Sequence, residues 1–466
     1  MQMAQIDNLT RLASQGARAD RSRSSDQGVA PRRFLFTTFE GGGHVPPALL
    51  VAAALRQRGH DVLFVSDDAN RQAARRAGLA FAGWSTAPNR KILGDRADPL
   101  RDWKPRLPSA IVREVCDGVM TGPAERYAAD AMALIARFDP DLVVSNELLM
   151  GVIAAGEASK VPVALLTSNV WCYPTRQDVP PFGPGFAPWP SAAGQRRDAI
   201  VRRMISRWYD AGLEDLNRAR AQLQLAPLSS CLQQLDSCAG VLLGVSQAFD
   251  YGVAAPPRGF TYVGPLGQTP DWVGSDDRDV GLIAPDRPNV LVSFSTTHQD
   301  QRATVKRTIK ALGRLDVNAI VTLGPAISGE GLAPASNVRV VARADHDVLV
   351  PLCDLIVCHG GHGTVMRPLT HGKPVICLPT GRDQPENAQR IVAAGAGLRL
   401  PRDASAQRIR RAVQRVLSDR CFSDAAAAVG RVIRRDASGP QRAVAVLEAM
   451  VHGARSTINP AHRLSA

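Results

Sequence analysis

The chain has 466 residues, of which 45% are apolar and 21% charged, and a net charge of +13 from 56 basic and 43 acidic side chains. That length suggests two domains with a core in each. The composition is that of a globular protein and excludes collagen-like and low-complexity classes. The eight cysteines form no CxxC pair, which argues against a zinc site or a disulfide framework.

Residues 1–32 are polar and rich in Arg and Ser, and are expected to form a disordered basic tail. This stretch lacks the apolar core of a secretory signal, and the apolar run from Val45 to Leu55 is too short to span a bilayer, so a cytoplasmic location is expected. The positive charge has two readings: an Arg-rich composition with a basic tail, or an anionic partner such as a nucleotide or an acidic lipid surface. No Lys/Arg block interleaved with aromatics supports nucleic-acid binding.

Folding is expected to begin at Phe34-Leu35-Phe36-Thr37-Thr38-Phe39, an apolar run of strand length. Glu40-Gly41-Gly42-Gly43-His44 makes a turn, and Val45, Leu49, Ala52 and Leu55 then recur at helical spacing. Gly59 ends that helix, and Asp61 to Ser66 reads as the next strand, which completes a βαβ unit. Strands are expected again at 141–145 and 162–167, with a helix at 148–158 between them. From Trp171 to Pro190, Pro174, Pro180, Pro181, Pro184, Pro188 and Pro190 make a long loop, a class that is functional or flexible in compact proteins.

Residues 196–225 have helical character. A second series of strand runs then follows at 241–246, 262–263, 290–295, 319–323, 338–341, 355–358 and 375–378. The reading is α/β throughout: a doubly wound domain over 33–250 and another over 251–435, with the boundary near 250–260. Residues 404–453 alternate Arg with Ala and Val as amphipathic helices, and 436–466 form a last helix and tail.

The most informative segment runs from Cys358 to Gly397. An apolar strand ends in His359-Gly360-Gly361-His362-Gly363-Thr364, a short helix stops at Gly372, and a second apolar run, Pro374 to Leu378, opens into Asp383-Gln384. Strand, glycine turn and helix start together make an anion site. The first helical N–H groups need an acceptor, the helix dipole makes that end partly positive, and glycine lets a ligand reach the backbone. His44 is the second candidate. It follows three glycines at the end of the first strand, where open α/β sheets bind ligands, and room is left there for a substrate hydroxyl beside an imidazole base.

The 358–397 segment resembles the donor-binding signature of the family 1 glycosyltransferases, with the bacterial macrolide and antibiotic enzymes as the nearest branch. The residues that carry it are His359-Gly360-Gly361, Gly363-Thr364, His371-Gly372-Lys373-Pro374, Pro379, Asp383-Gln384-Pro385, Asn387-Ala388 and Gly395-Ala396-Gly397. The resemblance implies the GT-B fold, two Rossmann-like domains facing across a cleft, with the last helix crossing back to the first. It also implies inverting, metal-independent transfer from a UDP- or dTDP-sugar, a co-substrate rather than a cofactor. His359, Gly360, Gly361, Gly363 and Thr364 would hold the diphosphate, with Ser295 and Thr296 beside it. Asp383 and Gln384 would meet the sugar hydroxyls, and Asn387 would assist at the phosphates.

Gly43-His44-Val45-Pro46-Pro47 resembles the family's Gly-His-Val-x-Pro element, whose histidine is the catalytic base. Two positions depart from the pattern. The family's Asp partner to that histidine is replaced by Asn146, with Glu147 next to it. Arg367 stands where a ribose-binding Glu is common, and an Arg has no acceptor with which to copy that role. The acceptor is expected to be a small, fairly apolar natural product or a lipid, with membrane-surface contact as a variant raised by the charge. Two alternatives stay open, a nucleotide-sugar 2-epimerase and a non-catalytic glycosyltransferase-like partner. The residues do not indicate an oligomeric state.

Overall fold

Apolar runs of four or five residues are satisfied only inside a sheet that is covered on both faces. The computed structural model describes residues 30–41, 43–92, 107–253, 255–267, 286–294, 298–324, 327–435 and 439–454, and it gathers these runs into two parallel sheets. The first is built from β1 (Arg33–Thr37), β2 (Asp61–Ser66), β3 (Ala80–Gly83), β4 (Leu142–Ser145), β5 (Val163–Thr167), β6 (Gly240–Leu243) and β7 (Phe260–Tyr262), in the order β3-β2-β1-β4-β5-β6-β7. The second is built from β8 (Asn289–Ser293), β9 (Asn318–Thr322), β10 (Val338–Val341), β11 (Leu355–Cys358), β12 (Val375–Cys377) and β13 (Gly397–Arg399), in the order β10-β9-β8-β11-β12-β13.

Alternate residues of each strand serve opposite faces. Leu35 packs in one core with Val143 and Leu165, while Phe34 and Phe36 pack in another with Leu142 and Val144. The second sheet divides in the same way, with Val290 and Val292 on one side and Leu291 on the other. The helices that shape the site are α1 (Val45–Gln57), α2 (Ala192–Tyr209), α3 (His346–Leu352), α4 (His362–Thr370), α5 (Gln384–Ala393) and α6 (Gly439–Ala454).

Two boundaries differ from those expected. The run at 262–263 was expected within the second domain, but with the run at 241–246 it closes the first sheet. β6 lies beside β5, with Ala164 opposite Gly240, and β7 lies beside β6, with Val241 opposite Phe260. The first domain therefore passes residue 250. Buried parallel strands carry the same pattern in both domains, so the pattern did not mark which sheet takes each strand. At the other end, residues 1–29 of the expected tail lie outside the described residues, but Arg32 belongs to the fold. Its N–H donates to His60 Nδ1 at 3.2 Å, and its guanidinium meets Asp141 at 3.5 Å.

α6 leaves the second domain and packs on the first. Ala443, Val444, Leu447 and Val451 share a core with Phe34, Phe36, Val45 and Leu49. His60 fixes the contact. Because its Nδ1 accepts from Arg32, its Nε2–H donates to Glu448 Oε1, at 2.8 Å. Arg58 reaches the same oxygen at 3.0 Å. Among the described residues no helix is long and apolar enough to cross a membrane. Replacing the fully buried Leu447 with Ala should lower stability by about 2–5 kcal/mol, read from urea unfolding; a loss under about 0.5 kcal/mol would mean that α6 adds little to the first core.

Candidate active site

In an open α/β sheet the crevice lies at the carboxyl ends of the strands, where strand order reverses. In the first sheet that point falls between β1 and β4, and in the second between β8 and β11. His44 follows β1, Asn146 and Glu147 follow β4, and His359 to Gly361 follow β11. Ser295 and Thr296, which follow β8, lie outside the described residues.

His44 caps the start of α1, and Pro46 occupies the first turn, where its missing N–H costs nothing. The imidazole is half-buried, 5.2 Å from the ring of Phe39. It lies over Gly41, where a Cβ would come within 2.8 Å of His44 Cδ2. Glycine at this position is what leaves space for the ring. The loop after β5 joins here, as Ser168 Oγ donates to the carbonyl of Gly43 at 3.3 Å.

Asn146 and Glu147 are both buried and paired with each other, with Asn146 Nδ2 donating to Glu147 Oε2 at 3.0 Å. Asn146 Oδ1 accepts the N–H of Leu148 at 3.0 Å, and Thr167 Oγ1 donates to Glu147 Oε1 at 3.2 Å. These bonds tie the two side chains to each other and to the ends of β4 and β5. Glu147 has no cationic partner in this setting, and burial pushes its carboxyl up to about 7.

On the other side of the cleft the glycine turn has a defined shape. Gly360 has φ +94°, and Gly361 caps α4 without a side-chain bond. A Cβ on Gly361 would lie 2.4 Å from His359 Nε2, so the ring folds over the helix start. The N–H of His362 is taken by Asp383 Oδ2 at 3.2 Å. Those of Gly363 and Thr364 meet no acceptor among the described residues. His359 is buried with Nδ1 unpartnered, and burial lowers its pKa to about 4 although Asp383 pulls the other way. It therefore stands at neutral pH as an uncharged imidazole beside two bare amides.

Asp383 and Asn387 brace this turn. Asn387 Nδ2 donates to Asp383 Oδ2 at 2.6 Å and to the carbonyl of Gly360 at 3.0 Å. Asn387 is fully buried, so it holds the turn from within the protein. Gln384 departs from expectation. Its side chain turns inward, accepting from Thr380 N and Oγ1 at 2.7 Å each and donating to Gln299 at 2.8 Å. Of the Asp-Gln pair only Asp383 is left partly exposed. Arg367 reaches across to α3 and pairs with Asp347 at 2.6 Å.

Sequence reasoning passed over His362. Its Nε2 meets the carbonyl of Gly244, just beyond β6, at 3.3 Å, which ties the glycine turn to the first domain. No local signal marks that contact, because its partner is 118 residues away. An open cavity of ≈ 770 Å³ lies beside the carboxyl ends of β9 and β10, lined by Leu323, Ile327, Leu332, Val340 and Ala342. Among the described residues no group of three His, Cys, Asp or Glu side chains could hold a metal ion.

Residues 306–450 match the family described as the erythromycin biosynthesis protein CIII-like C-terminal domain. The chain is 28% identical to 4'-demethylrebeccamycin synthase of Lentzea aerocolonigenes over 84% of its own length and 93% of that protein. Its fold is similar to that of the calicheamicin glycosyltransferase CalG4, with TM-score 0.69 and 18% identity over 91% of this chain and 99% of that one. It is also similar to the glycosyltransferase VinC in complex with dTDP, with TM-score 0.59 and 20% identity over 91% and 100%.

Glu147 carries a pH signature. Between the ordinary carboxyl value of 4.5 and about 7, the unfolded chain releases a proton that the native site keeps. Stability conferred by this group is therefore present below 4.5 and is lost as pH rises to about 7. Glu147→Gln has no such proton. Relative to wild type it should gain on the order of 1–3 kcal/mol between pH 5 and pH 8 in denaturant unfolding. Identical pH slopes would contradict a neutral buried Glu147.

Proposed function

We infer, for a chain that belongs to the GT-B glycosyltransferases of the antibiotic-biosynthesis type, that it moves a sugar from a dTDP- or UDP-linked donor to a hydroxyl of a small, apolar natural product, with inversion. One observation carries this reading. The bare start of α4, with the neutral His359 over it, stands at the switch point of one sheet, and His44 stands at that of the other.

In this reading His44 accepts the proton of the acceptor hydroxyl. The oxygen attacks the anomeric carbon from the face opposite the diphosphate. The bond from that carbon to the phosphate oxygen breaks, and its electron pair leaves on the diphosphate. The developing charge is met by the N–H groups of Gly363 and Thr364 and by an N–H of His359. Burial makes the His359 imidazole a weak base, so it leaves the acceptor's proton to His44. Asp383, at the start of α5, is the side chain available to the sugar hydroxyls.

Two features favour the deoxyribose donor. Arg367 is held by Asp347 and offers no acceptor to a second ribose hydroxyl. VinC, a protein of similar fold, has been seen with dTDP. The nucleoside would occupy the cavity beside β9 and β10, whose lining is mainly apolar. The natural-product acceptor follows from the relative's name, 4'-demethylrebeccamycin synthase. The comparisons favour neither an epimerase nor a non-catalytic partner.

His44→Ala should lower kcat about 10²–10⁴-fold while the rise in melting temperature on adding dTDP stays as in wild type. Transfer within tenfold of wild type would remove His44 as the base. In the same thermal screen dTDP should stabilise the protein more than UDP at equal concentration, and the reverse order would redirect the donor assignment.

A further inference from the structure

The segment between β5 and α2 has no helix or strand, yet it is not a loose loop. Val170, Trp171, Tyr173 and Val179 are buried within it, as is Arg176. At its root Ser168 touches Gly43, beside His44, and Tyr173 OH donates to the carbonyl of Glu147 at 2.9 Å. In its middle Arg202 of α2 donates to the carbonyl of Arg176 at 2.9 Å. Arg176 in turn meets Asp250 Oδ2 at 2.7 Å and Tyr262 OH at 2.9 Å.

The far end crosses to the second domain. Glu386 Oε1 accepts the N–H of Gly183 at 2.9 Å and of Gly185 at 2.7 Å. The other carboxylate oxygen takes Arg390 at 3.0 Å, and Arg390 continues to Asp250 Oδ1 at 2.7 Å. Two guanidiniums, Arg176 and Arg390, and three carboxylates, Asp178, Asp250 and Glu386, thus form a network that spans the domains, buried except at Asp178. A buried charge that loses its partner is costly, so these groups hold one another in place. Gly185 fits the contact closely. At φ +64° a Cβ there would lie 2.6 Å from the carbonyl oxygen of Pro385.

Glu386 lies on α5, three positions after Asp383 and next to Asn387, which clasps Gly360. One helix start therefore carries both the brace of the anion turn and the anchor of the loop that reaches His44. We propose that Glu386 is the positioning residue through which an occupied donor site steadies the acceptor-side loop. Nucleotide bound at the turn fixes the start of α5, α5 fixes the tip of the loop, and the acceptor wall is completed only then. The proposal rests on the donor site assigned above.

Hydrogen exchange of the loop amides, with dTDP as the probe, tests it. In wild type, saturating dTDP should slow exchange over residues 180–190 at least fivefold. In Glu386→Gln and in Gly185→Ala, which cut the same contact from opposite sides, that slowing should disappear while dTDP still binds, its calorimetric Kd weakened by about the factor of slowing that is lost. Slowing that persists in both variants overturns the proposal, as does its absence in a wild type that binds dTDP. If wild type does not bind dTDP, the donor assignment fails instead. The loop contact is then judged by exchange without ligand, which should be at least tenfold faster in both variants than in wild type; equal rates would overturn it.

Discussion

Parallel pairing is the constraint from which the rest follows. When every strand of a sheet runs the same way, every outgoing segment leaves at one edge, and helix starts with unsatisfied amides collect there. Each domain makes one such edge. The order β3-β2-β1-β4 divides the first at β1 and β4, and β9-β8-β11-β12 divides the second at β8 and β11. Residues far apart in the chain, such as His44 and Glu147 or Phe294 and His359, are brought to a shared rim by backbone hydrogen bonding alone.

Electrostatics then give that rim its character. Buried Glu147 and His359 are biased towards neutrality, raised to about 7 and lowered to about 4, and the half-buried His362 is lowered as well. Across the domains, charge is gathered in the network of Arg176, Asp178, Asp250, Arg390 and Glu386, where opposite signs are paired. An anionic diphosphate would then be the main uncompensated charge entering the cleft. It would meet fixed dipoles that need little reorganisation.

The parts of this arrangement that were legible in the sequence are those written locally. A strand, a glycine turn and a helix start are consecutive, so His359 to Thr364 could be read as an anion site from spacing and backbone chemistry. The same holds for His44 after its glycines. What was not legible depends on partners distant in the chain. Gln384 looks like a ligand residue until Gln299, 85 positions earlier, takes its amide. Asn146 and Glu147 stand where a partner for His44 is expected, and their bonds to each other and to Thr167 could not be read from the sequence. The segment from Trp171 to Pro190 reads as a functional or flexible proline loop because its prolines are visible and its clasp by Arg202, Asp250 and Glu386 is not. The domain boundary was misplaced for a related reason, since strands β6 and β7 look alike whichever sheet they join.

The route of α6 bears on how the protein is made. The core beneath β1 is assembled from the first hundred residues, from β4 to β6 and from Ala443, Val444, Leu447 and Val451. A nascent chain on the ribosome therefore exposes an apolar groove on its leading half until almost the whole message has been read. Domains of multidomain chains tend to fold in order as they emerge. Here the leading half cannot finish before the trailing half delivers its last helix, so synthesis halted short of residue 439 would release a polypeptide with a sticky, unsealed flank.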